Sequence, residues 1–351
     1  MIGKRKLERY CGDLSQVFCL QPCVLESGRA GGTHAVLVDN GADLELLVLL
    51  DKCMGIPRLK YRGINIGFIC KNGISAPQFY QEDGTRGFLR NFEAGFLTTC
   101  GLTYFGTPCE VQGQKYGLHG VIANTPMENI CTRTEWLHDQ AFLKISGDAR
   151  EGYLFGPNLV LHKELCVPVG SNKIEIHDSI ENKGFEESSL MILYHFNYGY
   201  PFLCKDMEIL CNFDKITARD MKSEAGIANI DQFDKPLDGF DEVVAYRTMS
   251  TQKKTQKKAY TLVYNPDLKI GVQMTFDPLQ LPVLNQWKSP RAGDYVLGME
   301  PGTGHVGGYE ATRRAGLMQY IKPGETKKFD ITIEFFEEKE LTKRKKDMEE
   351  S

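Results

Sequence analysis

Apolar and polar side chains alternate with a period of two residues in several segments of the chain. Neighbouring side chains of a β-strand point to opposite faces of the sheet, so strict alternation predicts strands with one buried face. The pattern is clearest in three segments, "NKIEIHDSIEN" (Ile174, Ile176, Ile180), "PDLKIGVQMTFDP" (Leu268, Ile270, Val272, Met274, Phe276) and "FDITIEFF" (Phe329, Ile331, Ile333, Phe335).

Turn residues separate the predicted strands, and helical patterns are scarce. The stretches "VGSN" (169–172) and "YNPDLK" (264–269) are typical of hairpin turns. No long apolar stripe with a 3.6-residue period lies between Asn40 and Phe336, which disfavours a parallel α/β architecture. The sequence therefore predicts an all-β fold, a large antiparallel β-sandwich that forms one domain over residues 1–338. A charged C-terminal tail over 339–351 is expected to be a frayed helix or disordered.

Overall charge argues against nucleic acid and membrane partners. The chain of 351 residues has a formal net charge of -4, and we interpret its basic run "TQKKTQKKAY" (251–260) as a solvated hairpin loop. The most apolar stretch, "LELLVLL" (44–50), is too short to span a bilayer, and the first residues lack the apolar region of a secretory signal. We expect a cytoplasmic protein.

Cysteine usage fits a reducing compartment. The sequence has 11 cysteines, an odd number, and none forms a CxxC motif. A disulfide framework or zinc ribbon is therefore not expected, and most of these residues are predicted to be small buried hydrophobic side chains. Cys100 could be a nucleophile, but no base lies near it in the sequence, so a core position is favoured.

Three stretches could carry chemistry, and the first two centre on a histidine. His119 lies in "YGLHGVIANTP", between Gly117 and Gly120, which fits either a tight turn with an incidental histidine or a strand end that a ligand approaches closely. In "LMILYHFNYGYPF", apolar residues occupy both faces of a predicted buried strand, and His195 and Asn197 share one face. Each of these polar groups needs a partner inside the protein or a ligand.

The third stretch, "DYVLGMEPGTGHVGG", places a carboxylate near a strand end. Gly298 and Glu300 share a face of the predicted strand, and the glycine leaves room beside the carboxylate. A divalent metal is an alternative use for His119, His195 and Glu300, with His305 as a fourth ligand. Because no HxH or HxxxH pair fixes two ligands on one element, a site without metal or cofactor is favoured.

An ordered set of motifs resembles a known superfamily. "FLTTCGL", "GLHG", "LYHFNYGYP", "QWK", "YVLGMEPG" and "IKPGE" occur in this order between about Leu44 and Phe336. Together they resemble the aldose 1-epimerase-like (galactose mutarotase-like) superfamily, in particular a bacterial branch catalogued as a domain of unknown function. The resemblance implies a β-supersandwich with a sugar-binding cleft, in which His195 is the general acid, Glu300 the general base and His119 a ligand of the sugar near its ring oxygen.

A sugar substrate suggests a set of candidate contacts, for which ordinary packing or a surface position is the alternative. The expected partner is a free small-molecule sugar, and a homodimer is one of the oligomeric states left open. Trp287, Phe92 and Tyr198 are candidate platforms for the sugar face. Candidate partners for the sugar hydroxyls are polar side chains near the motifs: Arg90, Asn124, Asn197, Gln286 and Lys288.

The expected reaction is the interconversion of the α and β anomers of a free sugar by histidine and glutamate acid–base catalysis. Two departures from the branch leave the sugar open: "DKCMG" (51–55) stands where D-R-G-M-D is common, and Val121 stands where arginine follows the "LHG" motif. A carbohydrate-binding or regulatory protein without catalysis, and a different sugar isomerase or lyase acting on an unusual sugar, remain as alternatives.

Overall fold

The computed structural model describes residues 3–111, 113–250 and 258–349, and strands dominate this part of the chain. Most of the basic run therefore lies outside the described residues, and its last two residues begin a strand. The strands are, in chain order, β1 (Cys19–Leu25), β2 (Thr33–Asp39), β3 (Leu44–Leu49), β4 (Gly55–Tyr61), β5 (Ile64–Asn65), β6 (Phe68–Ile69), β7 (Ala94–Gly95), β8 (Leu97–Cys100), β9 (Cys109–Val111), β10 (Gln114–Tyr116), β11 (Glu128–Leu137), β12 (Gln140–Gly152), β13 (Asn158–Pro168), β14 (Lys173–Asn182), β15 (Ser188–Leu190), β16 (Leu193–Gly199), β17 (Glu208–Cys211), β18 (Lys215–Ala218), β19 (Val243–Thr248), β20 (Ala259–Asn265), β21 (Ile270–Phe276), β22 (Val283–Arg291), β23 (Asp294–Gly302), β24 (Gln319–Ile321) and β25 (Thr326–Glu337).

Helices are short and lie between strands or at the chain ends. The α-helices are α1 (Lys4–Leu7), α2 (Gly84–Asn91), α3 (Met221–Glu224), α4 (Tyr309–Arg314) and α5 (Glu338–Glu349). Single 3-10 turns occupy Leu14–Gln16, Gly28–Ala30, Pro77–Phe79, Ile122–Asn124 and Ile227–Asn229. Within the described ranges, no helix has the length and apolar character needed to cross a bilayer.

Two large antiparallel sheets form the sandwich that the alternation predicts. The larger sheet has 11 strands in the order β1-β2-β3-β4-β8-β16-β23-β22-β19-β18, with β5 beside β4. The other has eight strands in the order β11-β12-β13-β14-β25-β21-β20-β17. Three two-stranded sheets, β6/β7, β9/β10 and β15/β24, complete the strand pairings of the described residues. Both predicted hairpins are present, joining β13 to β14 and β20 to β21.

Apolar side chains from the facing surfaces of the two sheets form the main core. Ile174, Ile176 and Ile180 on β14 are fully or almost fully buried, as are Phe329, Ile331, Ile333 and Phe335 on β25. One polar residue breaks the predicted pattern. Asp178 lies on the buried face of β14, where its Oδ2 pairs with Lys163 Nζ at 2.7 Å and accepts a hydrogen bond from the Tyr194 hydroxyl at 2.8 Å.

The charged C-terminal segment forms a helix that packs on a sheet, rather than a frayed or disordered tail. Leu341 and Met348 of α5 contact a small cluster that contains Leu262, Tyr264 and Phe336. These two apolar residues are seven positions apart, so two helical turns bring them to the same face. The segment has few apolar residues, but the helical period collects them where they cover the end of β25.

All 11 cysteines are free thiols. Cys100 is fully buried, and burial raises the pKa of its thiol well above the usual value. The core position predicted for it is therefore correct. A second apolar cluster, which includes Cys100, Phe88, Leu193 and Val244, lies on the face of the larger sheet that points away from the sandwich interior. Loops and α2 cover this face, and they enclose the candidate site there.

Candidate functional site

Strand register brings His195 and Glu300 together. The pairing of β16 with β23 aligns Leu193 with Gly302 and Phe196 with Met299, which places His195 directly across from Glu300. Cross-strand neighbours on one face of a sheet have their Cβ atoms about 5 Å apart, close enough for the side chains to interact. His195 Nε2 lies 3.4 Å from Glu300 Oε1, and both side chains are more than nine-tenths buried.

Gly298 makes the space that the carboxylate occupies, as the sequence predicts. It lies two residues before Glu300 on the same face of β23, and a Cβ added to it would collide with Glu300 Oε1. Trp287 of β22 is the cross-strand neighbour of Gly298. A cavity wall of glycine and tryptophan therefore frames the carboxylate.

His119 reaches the same place from a turn, not from a strand end. Its backbone is left-handed, with φ of 60°, and is held by hydrogen bonds from His119 N to Gly106 O and from Gly101 N to His119 O. The neighbouring glycines leave room for other parts of the protein: a Cβ on Gly120 would collide with the carbonyl oxygen of Tyr104, and one on Gly117 with the carboxylate of Glu82. The tight turn, one of the two interpretations of this stretch, is present at His119, and close approach of a ligand stays a prediction.

The three side chains line one cavity of about 360 Å³. Its size is at the lower end of the range for small-molecule sites. Aromatic rings surround the histidines: the ring centroid of His195 lies 5.1 Å from Phe92, 5.7 Å from Trp287 and 5.6 Å from His119. Of the three predicted platforms, Trp287 and Phe92 line the cavity. Tyr198 does not, because its even-numbered position on β16 turns it into the core between the sheets.

Several polar atoms around this cavity are buried and have no hydrogen-bond partner among the described residues. They are His119 Nδ1, His195 Nδ1, Glu300 Oε1 and Trp287 Nε1. Unsatisfied buried polar groups are rare in folded proteins and each one costs free energy. Four of them around one concave, partly apolar cavity indicate a site for a polar ligand.

Burial shifts the ionisation of the pair towards neutral forms. It lowers the pKa of His195 to about 4 and raises the pKa of Glu300 well above its usual value. The pKa of His119 is also well below its usual value, first because of burial and then because of His195 and Arg219. A group whose pKa is displaced in this way, in a cavity, is a candidate for proton transfer.

Sequence reasoning missed the charged residues at one side of the cavity. Arg219 lines it together with Asp220 and Glu242, and its guanidinium is bound by both acids, at 2.7 Å to Asp220 Oδ2 and 2.9 Å to Glu242 Oε1. Arg219 follows β18 and Glu242 precedes β19, in loops without a recognisable motif. No sequence signal points to them.

Gln286 and Lys288, predicted as sugar ligands, face away from the cavity. They flank Trp287 on β22, and adjacent strand residues point to opposite faces. Gln286 binds Arg247 Nε at 2.5 Å through its Oε1 and Asp231 Oδ1 at 2.9 Å through its Nε2. Lys288 donates a hydrogen bond of 2.7 Å to the carbonyl oxygen of Asn229.

Arg90, Asn124 and Asn197 do not line the cavity either. The side chain of Arg90 is 60% exposed on α2, which contributes Thr85, Phe88 and Leu89 to the cavity instead. Asn124 accepts a hydrogen bond of 2.6 Å from Asn91 Nδ2. Asn197 shares the face of His195, as predicted, but it is fully buried and donates to the carbonyl oxygen of His195 at 3.0 Å.

The residues that depart from the branch pattern lie outside the cavity lining. Lys52 forms a buried ion pair with Glu93, and Asp51 accepts hydrogen bonds from the backbone and ring of His34. Val121 is 40% exposed. His305, the fourth member of the alternative metal set, lines a separate cavity and stacks on Tyr246 at 3.9 Å. In the described ranges, no group of three or more His, Cys, Asp or Glu side chains is arranged to hold a metal ion.

Comparison with solved structures identifies the fold. The chain superposes on a Klebsiella pneumoniae protein named a "putative aldose 1-epimerase" with a TM-score of 0.88 and 23% identity, covering 96% of this chain and 90% of that one. It matches a galactose mutarotase-like protein from Clostridium acetobutylicum (TM-score 0.64, 13% identity, 92% and 99% covered). It also matches galactose 1-epimerase from Lactobacillus acidophilus (TM-score 0.58, 12% identity, 91% and 99% covered).

Comparison of the sequence with family models gives the family. No curated protein sequence matches the chain. The family model described as "Domain of unknown function (DUF4432)" matches residues 30–335, most of the chain. The protein therefore belongs to the DUF4432 family and has the β-sandwich fold of the galactose mutarotase-like superfamily.

Proposed function

We propose that the protein is an aldose 1-epimerase that interconverts the α and β anomers of a free sugar. The observation that carries the proposal is the buried His195–Glu300 pair, with 3.4 Å between Nε2 and Oε1, at a cavity of about 360 Å³ that His119 also lines. Ring opening needs a base at the anomeric hydroxyl and an acid at the ring oxygen. Two ionisable groups side by side can provide both.

In the proposed reaction, Glu300 accepts the proton of the anomeric hydroxyl and His195 donates a proton to the ring oxygen. The bond between C1 and the ring oxygen breaks, rotation about C1–C2 exposes the other face of the aldehyde, and the reverse transfers close the ring. The pair carries one proton throughout, first on His195 and then on Glu300. No proton is gained or lost overall.

The environment of the pair favours these transfers. Burial raises the pKa of Glu300 and lowers that of His195 to about 4, so the carboxylate is a stronger base and the imidazolium a stronger acid than in water. The transfers lead from the ion pair to the neutral pair, which burial stabilises. Sugar hydroxyls that donate to the Glu300 carboxylate would support the ion pair when substrate binds.

Charge around the cavity suits a neutral sugar. Among the residues that the structure describes, Arg219 is the cation that lines the cavity, and Asp220 and Glu242 already engage it. An anionic sugar would have to compete with two carboxylates for one guanidinium. Neutral aldoses are therefore favoured over uronates as substrates. We also assign His119 to the region of the ring oxygen of the bound sugar.

The experiment is to follow anomer exchange by NMR or polarimetry for a panel of aldoses, deoxy sugars and uronates. We expect acceleration over the spontaneous rate, and a loss of ~10²–10⁴ in rate for Glu300→Gln and for His195→Asn. Glu187→Gln and His138→Asn are matched controls at exposed positions. Wild-type rates in both test variants would refute the assigned roles, and sugar binding without acceleration would instead favour a binding protein.

A further inference from the structure

A second concave region adjoins the cavity and shares a wall with it. We call it the outer groove. It has a volume of about 460 Å³ and is lined by Phe68, Lys71, Phe240, Ser289, Arg291 and Asp294, among others. Leu89, Phe92, Glu242 and Trp287 line both the outer groove and the cavity of the His195–Glu300 pair. One ligand could therefore occupy both.

Strand β22 sets the direction of the groove. One face of β22 is formed by every second residue, namely Asn285, Trp287, Ser289 and Arg291. Asn285 is the cross-strand neighbour of Glu300. At a rise of roughly 3.3 Å per residue, the distance from Trp287 to Arg291 is about 13 Å, longer than one sugar ring. A ligand with its reacting end at Glu300 would extend along this row.

The composition of the groove suits a neutral polyhydroxylated ligand. Phe68, Phe92, Phe240 and Trp287 supply aromatic surface, on which the C–H face of a sugar ring can pack. In the described ranges, the groove is lined by two cations, Lys71 and Arg291, and by three acids, Asp241, Glu242 and Asp294. Most of these charges are paired, because Lys71 Nζ lies 2.8 Å from Asp294 Oδ2, Arg291 Nε lies 4.0 Å from the same oxygen, and Glu242 engages Arg219. Mixed donors and acceptors around an apolar floor match hydroxyl groups better than they match an ion or a lipid chain.

We propose that the outer groove is a second sugar subsite and that the physiological substrates are reducing disaccharides. The reducing-end ring would occupy the cavity with its free anomeric hydroxyl at the His195–Glu300 pair, and the second ring would lie along β22 between Phe240 and Arg291. This inference rests on the proposed function, which identifies the cavity as the place of the reacting ring.

The test compares reducing disaccharides with their own reducing-end monosaccharides. The panel includes maltose, cellobiose, lactose, galactobiose, mannobiose and xylobiose, each measured for kcat/KM of anomer exchange. We expect at least one disaccharide to exceed its monosaccharide about tenfold or more, the effect of one additional aromatic and hydroxyl contact surface. Equal values for every pair would overturn the subsite and leave the epimerase intact.

Variants of the groove localise the effect. Phe240→Ala and Arg291→Ala should each lower the disaccharide-to-monosaccharide ratio of kcat/KM several-fold. The matched controls Phe185→Ala (96% exposed) and Arg314→Ala (side chain 79% exposed) should leave the ratio as it is. Phe240 also packs on Ile230 and Val243, so thermal unfolding must show that its variant is folded, and the exposed Arg291 provides an independent test. An unchanged ratio in both groove variants would overturn the proposal.

Binding separates failure of the subsite from failure of the proposed function. If no sugar of either kind is equilibrated faster than in water, the epimerase proposal fails. Calorimetric titration with the same disaccharides and monosaccharides then still tests the groove. Tighter binding of a disaccharide, lost in Arg291→Ala, supports the subsite, and equal or absent binding of both kinds refutes it.

Discussion

The carboxylate of Glu300 occupies the space that a side chain on Gly298 would fill. Gly298→Ala should therefore displace the carboxylate from His195 and slow anomer exchange by roughly 10- to 100-fold, since misplacing a catalytic group by about 1 Å costs this much. Gly12→Ala is the control, because a Cβ there meets nothing within 4 Å. Full activity of Gly298→Ala would show that anomer exchange does not require Glu300 Oε1 to lie beside this glycine.

Protonation of the buried His195 should cost stability as the pH falls. The pKa of His195 is lowered to about 4 in the folded state, so between pH 4 and an unfolded value of about 6.5 the unfolded chain binds more protons. The contribution of His195 to stability therefore falls as the pH falls through this window, by about 1.4 kcal/mol per pH unit for one proton, while the raised pKa of Glu300 contributes in the opposite direction. Urea unfolding of the wild type and of His195→Asn as a function of pH measures the effect.

In that experiment, the free energy of unfolding of His195→Asn should depend less steeply on pH than that of the wild type between pH 4 and 6.5. The difference in slope should be close to one proton. His119 and His305 also have lowered pKa values, so part of the pH dependence of stability remains in the variant. Parallel curves for the two proteins would mean that His195 is protonated in the folded state near its ordinary pKa.

The ion pair between Lys163 and Asp178 should matter for stability because it lies in the core between the sheets. Asp178→Asn removes one charge and leaves the other buried without a counter-ion, which typically costs about 3–5 kcal/mol. Replacing both, as in Lys163→Met with Asp178→Leu, should recover much of that loss. Urea denaturation followed by circular dichroism measures both variants, and a loss below about 1 kcal/mol in Asp178→Asn would contradict the expectation.

Arg219 should tune the pair through charge. Glu242 raises the pKa of Glu300 and Arg219 lowers it, so Arg219→Gln leaves the effect of Glu242 unopposed. The acidic limb of the kcat/KM–pH profile should move to higher pH by roughly half a unit, the size of a partly exposed charge interaction. Arg219→Lys, which keeps the charge, should retain most of the wild-type profile. A shift to lower pH in Arg219→Gln would contradict this account.

The two-residue alternation predicts the sandwich well because burial of one strand face is a local, repeated property. It also contains information about the site. Trp287 lies on the cavity face while Gln286 and Lys288 lie on the other, since neighbours on a strand diverge. Once the segment is recognised as a strand, this alternation rules out that Gln286, Trp287 and Lys288 all bind the same sugar.

Other features depend on distant parts of the chain and leave no local pattern. Arg219 and Glu242 are 23 residues apart and meet only through the loops around β18 and β19. Asp178 is buried because Lys163 and Tyr194 on other strands supply its partners. His119 enters the cavity from a turn whose left-handed backbone is fixed by hydrogen bonds to Gly101 and Gly106. Such arrangements follow from the tertiary structure.

β16 lies inside the larger sheet, between β8 and β23, and all seven of its residues are buried. The amide hydrogens that bond these strands are therefore reached by solvent only when the whole sandwich opens. Slow hydrogen–deuterium exchange should mark the strand that bears His195, in contrast to exposed loops. Because the histidine cannot detach from its neighbours by local fraying, heat inactivation and global unfolding should occur at the same temperature.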